Sequence, residues 1–235
     1  MNTTCGNDIL DSSEVKRLAS GAGADLCGIA HVGRFSAAPE GFHPSDIFEG
    51  TRSVIVMAKR IPAGVFAARS RIPYTFSDAV ALNEIFRISF DLALALEDRG
   101  ATAVPVPSEP YEYWKSETME GRGILSLKHA GVLAGLGVMG RNNILTNNRF
   151  GNLLKLGAVL TDAVLESDPV AEYSFCRDSC GLCIKNCPVG AITSSGVEQK
   201  KCRMNSEGTT EKGNPVYTCW KCRSVCPFMK GIRYV

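Results

Sequence analysis

The apolar positions along the chain follow two periods. Asp11-Ser12-Ser13-Glu14 ahead of Val15, Leu18 and Ala19 is a capping-box pattern, and it predicts a helix from near residue 12 that Gly21 and Gly23 stop. Asp25–Val32 predicts a strand, and Ser53–Ala58 a second one, apolar on both faces and so fully buried. Pro39, Gly41, Pro44 and Gly50 mark loop between them; Pro62, Gly64 and Pro73 mark another, carrying Phe66, Arg69, Arg71 and Tyr74. Ser77 reads as the cap of the longest helix, which runs to about Arg99 with Gly100 as its stop. Leu82, Ile85, Phe86, Phe90, Leu92, Leu94 and Leu96 cover most of that helix's circumference, which predicts burial all round. Ala101–Val106 reads as a short strand. Pro105, Pro107 and Pro110 then open an irregular segment with Tyr111, Tyr113 and Trp114, rings that either pack or stack on a flat cofactor. Ser126–Leu136 predicts a helix, and Ile144–Thr146 and Leu153–Thr161 predict strands. Strands follow one another without regular crossover helices, so the expected class is α+β rather than a doubly wound sheet.

The 235 residues suffice for one medium and one small domain. Composition changes at about Asp168-Pro169, which divides the chain into 1–168 and 169–235. Apolar content of 45% and charged content of 21% are those of an ordinary globular chain. Residues 1–20 are polar and acidic with no apolar core segment, so a cytoplasmic protein without a secretory leader is expected. The longest apolar run, Gly131–Gly140, is too short and glycine-rich to span a bilayer, so no membrane partner is expected. A formal charge of +2 lies below the basic balance of a nucleic-acid binder.

The cysteines change the picture. Eight of ten lie between Cys176 and Cys226, in two groups. Cys176, Cys180, Cys183 and Cys187 precede Pro188; Cys202, Cys219, Cys222 and Cys226 precede Pro227. Both groups end in C-x2-C-x3-C-P. In two-cluster ferredoxins the Cys before proline ligates the cluster of the other motif. That rule gives Cys176, Cys180, Cys183 and Cys226 to one 4Fe-4S cluster, and Cys202, Cys219, Cys222 and Cys187 to a second. The gap from Cys176 to Cys180 is one residue longer than in the bacterial run, with Arg177 where the first Cys usually stands, so Cys176 departs most from the pattern. Structural zinc accounts for paired C-x2-C knuckles but not for two Cys-Pro endings. Disulfides need an oxidising compartment, and the absence of C-x-x-C-H excludes covalent haem. Eight thiolates and two oxidised cores would bring the loaded protein to roughly −2, which further weakens a nucleic-acid reading. Cys27 reads as a small buried hydrophobe, and Cys5 near the terminus carries no assigned role.

Gly135-Leu-Gly137-Val-Met-Gly140 matches the dinucleotide fingerprint, with Asp162 at a suitable distance, but the fingerprint needs a strand before it and a helix after it. Here a helical stretch precedes and a strand follows. The glycines are instead expected to permit tight turns or close approach to a flat ligand.

Lys128-His129-Ala130-Gly131-Val132-Leu133-Ala134-Gly135-Leu136-Gly137-Val138-Met139-Gly140-Arg141-Asn142-Asn143, then Phe150-Gly151-Asn152, Leu156–Asp162 and the double cysteine set, together resemble the epoxyqueuosine reductases and, more distantly, the reductive dehalogenases. Arg52–Met57 resembles their buried strand. The resemblance covers roughly residues 50–60 and 120–230. It implies a nitroreductase-like core holding cobalamin, followed by a ferredoxin-like module feeding electrons to cobalt. It also implies that Gly135, Gly137, Gly140, Arg141 and Asn142 line a cofactor pocket, with Lys128 and His129 nearby. The family's acidic proton donor falls on Gly121 here, leaving adjacent Glu120 as the candidate catalytic acid. The segment Ile72–Phe76 has no clear match to the family's substrate-binding stretch, and the chain ends nine residues after Cys226, so tRNA is not expected as a partner.

Two functions follow. The first is an iron–sulfur oxidoreductase taking electrons from a ferredoxin- or flavodoxin-type donor and passing them through two clusters to a corrinoid, a flavin or a substrate. The second is a non-catalytic electron-transfer partner that handles a corrinoid, a corrinoid protein or a flavin. A metal-stapled interaction module is a third reading, against which two clusters in one small domain argue.

Overall fold

The computed structural model describes residues 10–232; Cys5 lies outside them. Helix α1, Ser12–Gly21, begins where expected: the Asp11 carboxylate accepts the Glu14 amide at 2.7 Å. Strand β1 is Leu26–His31, followed by a 3-10 turn at Val32–Phe35. The segment read as loop around Pro44 contains a one-turn helix, α2, Pro44–Ile47, in which His43 and Asp46 cap reciprocally. Strand β2, Ser53–Arg60, is buried over its first six residues, as the apolar run requires.

The next element corrects the sequence reading. Residues around Pro73 were expected in a loop, yet helix α3 spans Ile72–Glu97 with Pro73 in its first turn. A proline is tolerated there because the first-turn N–H groups have no intrahelical acceptor. Nor is α3 buried all round. Tyr74, Ala81, Ile85, Ile88, Leu92 and Leu96 face inward, whereas Phe90 and Leu94 stand 56% and 46% exposed.

Strands β3, Ala103–Val106, β4, Tyr113–Lys115, and β5, Glu120–Arg122, follow, the last two forming a hairpin. Helix α4, Leu127–Leu133, is shorter than expected and leads into β6, Val138–Met139, and β7, Leu145–Thr146. Strand β8, Leu154–Thr161, completes a four-stranded antiparallel sheet of order β1-β2-β8-β3. Ile29, Ile55, Met57 and Val159 pack on α1 and α3; Val54, Val56, Ala158 and Leu160 pack with α4 residues Leu127 and Ala130. The sheet is therefore covered on both faces, which is why β2 and β8 read as continuous apolar runs. Gly157 marks where α3 crosses closest: a Cβ there would lie 2.6 Å from Ser89 Oγ and 3.0 Å from an Ile85 methylene.

The cysteine-rich part holds α5, Leu182–Lys185, the hairpin of β9, Ile192–Thr193, and β10, Gly196–Val197, helix α6, Gln199–Ser206, the hairpin of β11, Glu207–Thr209, and β12, Pro215–Tyr217, and α7, Lys221–Ser224. A third apolar cluster seats it on the first part of the chain: Tyr74 of α3 meets Tyr217 at 5.6 Å and Trp220 at 4.9 Å between ring centres. Buried Asp78 forms an ion pair with Lys155 at 2.7 Å beneath these rings. Asp168, at the compositional break, pairs with Lys16 and accepts the Ile29 amide. Among the described residues no helix is long and apolar enough to cross a membrane.

Candidate metal centre

The two cysteine motifs interleave. Cys176, Cys180, Cys183 and Cys226 line one cavity, although Cys226 is 43 or more residues from the other three. The electrostatic neighbours agree. Burial first, then the charges of Cys176, Cys180 and Cys183, push the Cys226 thiol up. Burial, then Cys187 and Cys219, does the same at Cys202, against a hydrogen bond from Ser206. Burial pushes Cys222 up to about 11, with Cys202, Cys219 and Cys183 adding and Arg223 opposing. Like charges facing one another raise thiol pKa values: Cys226 faces the three cysteines of the first motif, Cys202 faces Cys187 and Cys219, and Cys222 faces Cys183 as well as Cys202 and Cys219. The nine described cysteines are free thiols.

Main-chain N–H groups aim at these sulfurs. Arg141 N–H donates to Cys176 Sγ at 3.4 Å, and Ala191 N–H to Cys187 Sγ at 3.2 Å. Burial raises Cys187, but the amides of Val189, Ile192, Ala191 and Gly190 outweigh it and hold this thiol below its ordinary range. The Arg141 guanidinium donates to the Cys180 carbonyl, and reaches the Asp178 carbonyl at 3.4 Å. Phe175, Leu182 and Phe228 close the cavity with apolar surface.

The glycine motif supplies one wall of that cavity, through Gly140, Arg141 and Asn142. Asn142, almost buried, donates to the Cys222 carbonyl at 3.2 Å. Gly135 has φ +75°, and its open side is filled by the Pro169 carbonyl; that of Gly137 is filled by the Thr146 carbonyl. The backbone these two glycines approach is the chain's own. Lys128 and His129 lie together on α4. His129 contacts Ser126 Oγ at 2.7 Å and is exposed. Lys128 Nζ donates to the Asn143 carbonyl at 2.9 Å; desolvation of its head, then Arg223, hold its ammonium below the usual lysine range.

Glu120 lies half-buried on β5, opposite Lys115. A Cβ on Gly121 would lie 2.7 Å from the Tyr111 ring, so no acidic side chain fits at that position with the ring in place. The aromatic segment packs: Tyr111 and Trp114 stack at 6.1 Å, and Arg203 of α6 sits over both rings. Gly121 N–H donates to Gln199 Oε1 at 3.1 Å, so the β4–β5 hairpin is fastened to the helix that carries Cys202.

Sequence reasoning missed Asn152 and Arg223. Asn152 is fully buried and donates to the Arg223 carbonyl at 3.3 Å, while Arg223 donates back to the Asn152 carbonyl. Asn152 stands in the Phe150-Gly151-Asn152 phrase, but neither spacing nor charge pairs it with a residue 71 positions on. It joins Asn142 in holding the backbone of α7 between Cys222 and Arg223.

This architecture, a covered antiparallel sheet with an interleaved cysteine segment seated on its long helix, is that of the epoxyqueuosine reductase and reductive dehalogenase folds. It matches an epoxyqueuosine reductase in complex with a modified tRNA stem loop at TM-score 0.65 and 17% identity, over 94% of this chain and 66% of that one. A reductive dehalogenase described as B12-dependent matches at TM-score 0.70 and 22% identity, over 96% and 33%. In sequence the resemblance to epoxyqueuosine reductases holds: the chain is 32% identical to that of Staphylococcus aureus over 127 residues, 49% of this chain and 33% of the relative. It is 28% identical to that of Bacillus anthracis over 205 residues, 82% and 52% respectively. The chain thus spans between a third and about half the length of these curated relatives. No family model matches the sequence.

Proposed function

We propose that this chain is an epoxyqueuosine reductase-like iron–sulfur oxidoreductase. One 4Fe-4S cluster would be held by Cys176, Cys180, Cys183 and Cys226, the second by Cys202, Cys219, Cys222 and Cys187. The observation that carries this reading is the cavity in which Cys226 joins the three cysteines of the other motif. A 4Fe-4S cluster is held by four cysteine thiolates, the number that each set supplies. Bound clusters would supply stepwise one-electron transfer at a potential set by hydrogen bonding and exposure. The chain's own part is to supply eight thiolates, to aim Arg141 and Ala191 N–H groups at two of them, and to keep water off with Phe175 and Phe228.

We infer two units, a nitroreductase-like residues 1–168 and a ferredoxin-like residues 169–235, with a ferredoxin- or flavodoxin-type donor. A corrinoid in the first unit is supported by the B12-dependent structural neighbour. The motif residues fit it poorly, because the open sides of Gly135 and Gly137 are filled by protein carbonyls. A modified tRNA stem loop is bound by the structural neighbour, which extends well beyond the part this chain matches.

The test is anaerobic reconstitution followed by iron analysis and a visible titration with cobalamin or flavin. The reading expects about eight irons per chain; a band shift in the corrin or flavin region would add a bound cofactor to it. Cluster absorbance with no ligand response instead favours an electron-transfer partner. Zinc in place of iron defeats both.

A further inference from the structure

Lys128 and Arg223 stand beside the second cysteine set as cations without a carboxylate partner. The Lys128 ammonium is fixed: it donates to the Asn143 carbonyl at 2.9 Å, one residue past Asn142, whose side chain holds the Cys222 carbonyl at 3.2 Å. Arg223, Cys202 and Arg203 are the charged groups around that ammonium. Arg223 follows Cys222 directly and donates to the carbonyl of buried Asn152 and to the Tyr74 hydroxyl. Among the described residues neither Lys128 nor Arg223 forms an ion pair. Arg141, beside the first set, has Asp178 at 3.9 Å, and Arg203 has Glu207 at 3.3 Å. The other basic residues within two positions of these cysteines, Arg177, Lys185, Lys200, Lys201 and Lys221, are exposed, where water and salt screen them.

A reduced cluster carries one more negative charge, and its potential follows net charge, hydrogen bonds to sulfur and exposure. Amide donors reach both sets, Arg141 N–H on Cys176 and Ala191 N–H on Cys187, so the unpaired cations decide. We propose that Lys128 and Arg223 make the cluster of Cys202, Cys219, Cys222 and Cys187 the easier of the two to reduce, so that electrons enter at the Cys176 set and pass on to it. This inference rests on the two-cluster reading above. The first set is also the one with a side chain reaching the surface: Leu182 lines its cavity and is 41% exposed. In one transfer a one-electron donor of the ferredoxin or flavodoxin type reduces the first cluster and is itself oxidised. The first cluster then gives that electron to the second and returns to its oxidised form, and no proton moves and no bond breaks.

Potentiometric titration of the iron-loaded chain, followed by paramagnetic resonance, tests the direction, with the signals assigned through Cys183→Ala and Cys222→Ala. Two one-electron waves are expected, the upper one missing in Cys222→Ala. Lys128→Gln keeps an N–H donor for Asn143 and removes the charge. It should make the second cluster about tenfold harder to reduce, a downward shift of about 59 mV for one electron, and leave the lower wave in place. Lys128→Arg should keep both waves at their wild-type potentials. About eight irons per chain with the upper wave missing in Cys183→Ala instead overturns the direction alone. An upper wave that stays put in Lys128→Gln, or that falls equally in Lys128→Arg, overturns the role of the Lys128 charge. A chain that takes up no iron overturns the cluster reading together with it.

Discussion

The thiols of Cys187 and Cys222 mark opposite extremes of one site. Backbone amides overcome burial at Cys187 and favour its thiolate, whereas burial and neighbouring sulfurs push Cys222 up to about 11. The thiolate is the reacting species. Among the eight cysteines between Cys176 and Cys226, alkylation of the metal-free chain, mapped by mass spectrometry as pH rises, should therefore label Cys187 first and Cys222 last; the reverse order would contradict the geometry. The sign for stability follows. Folding raises the Cys222 thiol above its ordinary 9.0, so this group's contribution is complete below about 9 and is lost as pH climbs towards about 11. The melting temperature of the metal-free protein should fall across that window. With metal bound the thiols are deprotonated outright and this dependence should vanish.

Elements were legible in the sequence where pattern and burial coincide. Strands β2 and β8 are apolar on both faces because helices cover both, and a continuous apolar run reports that directly. The start of α3 was not legible, because Pro73 breaks a helix everywhere except its first turn, and a sequence does not say which turn it occupies. The exposed apolar seam of α3 misled for the opposite reason: apolar residues all round predict burial, whereas one face of this helix is bare in the single chain. Close helix–sheet approach gives a prediction at this scale. Gly157→Val on β8 would drive its side chain into Ser89 and Ile85 of α3. Overpacking of this kind costs about 1–3 kcal/mol, so thermal unfolding should show a clear drop while the cluster cysteines remain untouched. An unchanged melting temperature would mean that α3 does not press on the sheet as described.

For the whole molecule, the Cys-Pro rule pointed from the sequence to Cys226 beside the first motif, and Cys176, Cys180, Cys183 and Cys226 line one cavity. It did not reveal how the sets are attached to the rest. That is done by Asn142 and Asn152 gripping α7, by Arg141 against Cys176 and Cys180, and by Tyr74 under Tyr217 and Trp220. These pairs join residues 35 to more than 140 positions apart, and no local pattern encodes them. The glycine motif shows the same limit. It reads as a ligand cradle, yet two of its glycines admit the chain's own carbonyls and the third borders the cysteine cavity.

Exchange of the fourth cysteine between motifs is the central claim, and paramagnetic resonance on single variants tests it directly. Cys226→Ala, reduced and compared with Cys183→Ala and Cys222→Ala, should lose the same signal as Cys183→Ala and fall from about eight to about four irons per chain. A Cys226→Ala spectrum matching Cys222→Ala instead would place Cys226 on its own motif's cluster and contradict the interleaved site.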